Sequence, residues 1–66
     1  MDQEKIGRFV AELRKENSLT QKELAEKVLV DQSMICQIER GSKVPTMLLG
    51  QEIAKALGCE LTELLK

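Results

Sequence analysis

Apolar residues along this chain recur at the three- and four-residue spacing of short amphipathic helices. From Gln3 to Glu16, Ile6, Phe9, Val10 and Leu13 share one helical stripe, which Asn17 and Ser18 interrupt. The next start signal is more complete. Thr20 and Glu23 have the spacing of a capping box, with Leu19 and Leu24 placed as the hydrophobic staple across it. That helix is expected to reach about Val28, burying Leu24, Ala25 and Val28.

A third helix is expected after Asp31, a good N-cap, with Val30 and Ile35 repeating the staple. It ends near Arg40, because Gly41 suits the left-handed cap conformation. Gly41 to Pro45 reads as a loop, with Val44 held extended by the proline. Thr46 caps a fourth helix with inner face Leu49, Ile53, Ala54 and Leu57, closed by Gly58. A last short helix, about Leu61 to Leu65, supplies Leu61, Leu64 and Leu65 as a lid. Five short helices with tight connections imply an all-α globule, and none of them is long enough to be stable alone.

Size and composition then remove whole classes of function. The chain has 66 residues, room for a single domain over residues 1–66. A domain this small buries only about 60% of its unfolded surface, which disfavours a large substrate cavity. His, Trp and Tyr are absent and Phe9 is the one aromatic, so the usual general base and metal ligand are missing. Base-stacking platforms for single-stranded nucleic acid are missing too. No nucleophile–base pair or metal constellation is present, so neither an enzyme nor a cofactor is expected. No apolar run approaches the ~20 residues of a membrane span, and Asp2 to Lys5 is charged, unlike a signal peptide. Cys36 and Cys59 are too few for a disulfide scaffold, which points to a reducing, cytoplasmic setting. Ten basic against eleven acidic residues leave a formal charge of −1. Any nucleic-acid function must therefore rest on arrangement rather than bulk charge.

The informative unit is Thr20 to Gly41. Its two helices are joined by roughly Leu29 to Asp31, a link so short that they must cross steeply, as in a helix-turn-helix. At ~100° per residue, Ile35 and Ile38 face the core with Val30. Ser33, Cys36 and Gln37 face the other way, with Gln32 at the N-terminal tip. These are short neutral hydrogen-bonding groups able to approach base edges, and Gln suits a bidentate contact with adenine. Composition alone allows an ordinary polar helix face equally well.

The run Leu19-Thr20-Gln21-Lys22-Glu23-Leu24-Ala25-Glu26-Lys27-Val28, then Ser33-Met34-Ile35-Cys36-Gln37-Ile38-Glu39-Arg40-Gly41, Pro45 and Ile53-Ala54-Lys55-Ala56-Leu57-Gly58 resembles the Cro/repressor-type helix-turn-helix family. The resemblance spans Ile6 to Leu65 and implies the compact five-helix domain of the phage lambda and 434 repressors. It implies base contacts from Gln32, Ser33, Cys36 and Gln37. Phosphate contacts are implied for Thr20, Gln21, Arg40, Ser42 and Lys43, with Gln21 also bracing the recognition helix. It implies an ion pair between Arg14 and Glu39, the latter only about 40° from Ile35 on the wheel and so drawn inward. A homodimer is implied through the end carrying Leu48, Leu61, Leu64 and Leu65. Two positions depart from the family pattern. Leu29 stands where Gly is usual, so either the turn is strained by about 1–2 kcal/mol or its path differs. Gly50 stands where a large apolar residue is preferred, weakening the fourth helix by about 1 kcal/mol.

The expected function is therefore a sequence-specific regulator, a repressor acting as a dimer on a double-stranded DNA operator. The alternative is an antitoxin-like regulator using the same fold on a protein partner, which the near-zero net charge keeps open. Cys36 reads as an exposed free thiol, with only Arg40, one turn on, to influence it.

Overall fold

A computed structural model describes residues 3–60. Among them are four helices, α1 (Gln3–Glu16), α2 (Gln21–Lys27), α3 (Gln32–Glu39) and α4 (Met47–Leu57). The all-α class agrees with the pattern along the sequence. The fifth helix expected at Leu61 to Leu65 lies outside the described residues.

The starts of α2 and α4 follow the local chemistry, and that of α3 departs from it. Thr20 and Glu23 close the full capping box of α2, and Thr46 Oγ1 accepts from the Leu49 amide at 3.2 Å to cap α4. Asp31 occupies the N-cap of α3 with an extended backbone, but its side chain makes no capping hydrogen bond. That part of the expectation is corrected.

All four helices stop in the same way. Each is followed by a residue with positive φ: Ser18 (58°), Leu29 (60°), Gly41 (81°) and Gly58 (74°). In each case the next amide reaches back five residues to a carbonyl of the last turn. These bonds run from Leu19 to Arg14 at 3.0 Å, Val30 to Ala25 at 3.0 Å, Ser42 to Gln37 at 2.9 Å and Cys59 to Ala54 at 2.9 Å. This is the Schellman arrangement, which satisfies carbonyls that a helix end would otherwise leave open. Glycine fills it twice; serine and leucine fill it at a steric cost. The Leu29 turn therefore keeps the left-handed path, which decides between the two alternatives left open by the sequence.

The core is built from Ile6 and Val10 of α1, Leu24, Ala25 and Val28 around α2, Ile35 and Ile38 of α3, and Ile53, Ala54 and Leu57 of α4. Phe9 and Leu13 only flank it, half-buried, as does Met34. The third helix is the hub, packed against both α1 and α2, while α4 closes the opposite side against α1 and α2. Asn17 ties the end of α1 to the end of α4, its side-chain amide donating to the Leu13 carbonyl at 2.8 Å and the Leu57 carbonyl at 3.2 Å. No described helix is long and apolar enough to cross a membrane.

Candidate nucleic-acid interface

Burying Ile35 and Ile38 fixes the rotation of α3 about its own axis, and so decides which side chains it presents outward. Gln32 and Ser33 are exposed; Cys36 and Gln37 are half-buried at the base of the same face. Arg40, Ser42 and Lys43 follow on the exposed loop after the helix. An open groove of about 640 Å³ runs along this side, and Leu29, Asp31, Ser33, Met34, Gln37 and Lys43 are among the residues that line it. Helix and following loop thus share one surface, which spacing alone did not show. Gln32, Cys36, Arg40 and Ser42 do not line that groove.

The orientation of α3 is held from behind by charge. Arg14 Nε donates to Glu39 Oε2 at 2.7 Å and Arg14 Nη2 to Glu39 Oε1 at 3.2 Å. The two side chains are only 11% and 7% exposed, so the pair is largely removed from water. Arg14 Nη1 also donates to the Leu19 carbonyl at 2.8 Å, just before α2. Gln21 Nε2 adds a third donor to Glu39, reaching Oε1 at 3.0 Å from the first turn of α2. A desolvated carboxylate needs such donors, because burying an uncompensated charge is costly. One cluster thereby joins α1, α2 and the last residue of α3. Gln21 retains one amide proton beyond the one given to Glu39.

Thr20 is occupied locally. Its amide donates to Glu23 Oε1 at 2.8 Å, while its Oγ1 accepts from the Glu23 amide at 3.0 Å. The hydrogen bonds from the Thr20 amide, and then from its hydroxyl, hold the Glu23 carboxyl below its ordinary value of 4.5. An outside phosphate would have to share this hydroxyl with the cap.

Sequence reasoning passed over Gly7. A Cβ built there would stand 2.7 Å from the Glu39 carbonyl oxygen and would also clash with that of Ile38. Only a residue without a side chain lets α1 approach the end of α3 so closely. The signal was present, since a glycine inside an amphipathic helix usually has a packing reason.

With the motif and its supports in place, a helix-turn-helix family model matches residues 10–64. The chain belongs to the helix-turn-helix family of Cro/repressor-type transcriptional regulators. It is 46% identical over 55 residues to an uncharacterized HTH-type transcriptional regulator of Methanothermobacter thermautotrophicus, covering 83% of this chain and 80% of that one. It is 35% identical over 57 residues to the immunity repressor protein of Bacillus phage phi105, covering 86% of this chain and 40% of the repressor. Among solved structures, the restriction-modification controller protein C.AhdI from Aeromonas hydrophila superposes with a TM-score of 0.89 at 32% identity. That match covers 94% of each chain. SinR, a master regulator for biofilm formation solved in complex with DNA, superposes with a TM-score of 0.87 at 31% identity. There the coverage is 92% of this chain and 98% of SinR.

Proposed function

We propose that this regulator binds double-stranded operator DNA sequence-specifically, as a repressor, with α3 in the major groove. The observation that carries this reading is the outward face of α3, where neutral hydrogen-bonding side chains replace the Lys and Glu of an ordinary surface helix. Gln32, Ser33, Cys36 and Gln37 are the base-contacting candidates, since glutamine offers a donor and an acceptor to adenine and small groups avoid clash. Arg40, Ser42 and Lys43, with Gln21 and Thr20 at the start of α2, are the phosphate-contacting candidates. That SinR, similar over 92% of this chain, was solved in complex with DNA supports the DNA-binding reading.

A homodimer forms through the face that carries Leu48, which is 70% exposed beside Met47, also 70% exposed. Leu61, Leu64 and Leu65, the other expected members of that patch, lie outside the described residues. Two subunits on a two-fold operator double the contacts of a module this small.

Reader and phosphate residues fail differently when changed. The probe is a duplex selected from a randomised pool by the intact chain, compared with a scrambled duplex across a salt series. Gln37→Ala is expected to cost about 1–3 kcal/mol on the selected duplex and little on the scrambled one. Lys43→Ala is expected to weaken both and to flatten the salt slope by about one unit per subunit. Equal loss on both duplexes for Gln37→Ala would remove α3 as the reader.

A further inference from the structure

Asp31 stands at the N-cap of α3, with φ −71° and ψ 149°, yet its carboxylate caps nothing. Thr20 and Thr46, in the equivalent positions of α2 and α4, both make their bonds. Aspartate is among the best N-cap residues, so the helix forgoes a stabilising contact that its sequence makes available. The exposed side chain instead lines the open groove shared with Ser33, Gln37 and Lys43. A residue that gives up a local bond at the edge of a binding face is a candidate for an external one.

We propose that Asp31 is a specificity-determining residue that accepts a hydrogen bond from the exocyclic amino group of a cytosine in the major groove. The inference rests on the DNA-binding reading above and adds to it a residue and a base. A carboxylate accepts and does not donate. In the major groove only cytosine N4 and adenine N6 present amino donors; guanine and thymine present acceptors that repel it. Adenine also sets its N7 acceptor beside the amino group, which leaves cytosine as the unopposed match. Asp31 directly precedes Gln32, so the base it reads neighbours the one addressed by the tip of α3.

The same charge acts against the wrong DNA. On an unmatched sequence the carboxylate faces the phosphates with no amino group to compensate, and non-specific affinity falls. Lys43 in the same groove supplies the opposite charge for a phosphate, so attraction and selection are divided between two side chains. A protein with net charge −1 relies on such selection rather than on a general basic field.

The experiment selects from a randomised duplex pool with the intact wild-type chain and with Asp31→Asn. Asparagine caps as well as aspartate, which thermal unfolding checks, but it donates as well as accepts and carries no charge. Wild type is expected to enrich cytosine at one position per half-site. Asp31→Asn is expected to relax that preference about tenfold, to leave the Gln37-dependent position unchanged and to tighten binding to scrambled DNA at low salt. Asp31→Ser, another good N-cap, is expected to relax the same position, tying the effect to the carboxylate. Identical base profiles from wild type and both variants would overturn the assignment of Asp31 while leaving the DNA reading intact. A wild-type chain that selects no sequence overturns both.

Discussion

Gly7 in α1 lies against the backbone of Glu39, the last residue of α3, at a distance that excludes a Cβ. Glu39 therefore meets α1 twice, through its carbonyl at Gly7 and through its carboxylate at Arg14. The obstacle at Gly7 is helix backbone, which cannot swing aside as a flexible side chain would. Gly7→Ala is expected to lower stability by about 2–3 kcal/mol despite the better helix propensity of alanine. Chemical denaturation reads the sign, and a stabilised variant would show that α1 does not seat this closely.

Arg14 and Glu39 should be strongly non-additive. Arg14→Met leaves a nearly buried carboxylate with Gln21 as its remaining side-chain donor, a loss of about 3 kcal/mol. Adding Glu39→Gln removes the stranded charge, so the double variant is expected to be more stable than Arg14→Met alone. Strict additivity in that double-mutant cycle would mean that the pair carries no coupling energy.

Leu29 is the only large residue among the four left-handed helix ends, and its side chain is 90% exposed. Little packing is lost on truncation, while the steric penalty at φ 60° is relieved. Leu29→Gly is expected to stabilise by about 1 kcal/mol, after allowing for the greater freedom of glycine in the unfolded chain. Gly41→Ala is the counterpart and should destabilise, because φ is 81° and a Cβ there would meet Glu4 Cγ at 2.9 Å. Urea midpoints of the two variants should move in opposite directions.

The capping box makes the start of α2 sensitive to acid. The folded Glu23 carboxyl titrates below its ordinary 4.5, so its contribution to stability is fully present above that value. It is lost as pH falls through the lowered folded value. In Glu23→Gln this part of the acid dependence should vanish, leaving a flatter stability profile below about pH 5 than in wild type. Amide exchange at Thr20 follows it directly, since that amide donates to Glu23. An unchanged acid profile in the variant would show that the box contributes nothing through its charge.

Helix positions, two of the helix starts and most of the buried faces were legible from the sequence, because each depends on residues only three or four apart. The capping box at Thr20 and Glu23, the Thr46 cap and the stops at Gly41 and Gly58 all close within one turn, where spacing suffices. The outward set on α3 follows from the inward pair Ile35 and Ile38 for the same reason. Other features needed the tertiary structure, because they depend on how closely helices distant in sequence approach. Gly7 matters only because the end of α3 lies across it, and the atoms by which Gln21 and Arg14 share the Glu39 carboxylate follow from how α1 and α2 close on that helix end. The Asp31 side chain goes uncapped, and Lys43 joins Ser33 and Gln37 in one groove. Local periodicity specifies which face of a helix is apolar; the packing of the faces decides which polar groups are then left to meet.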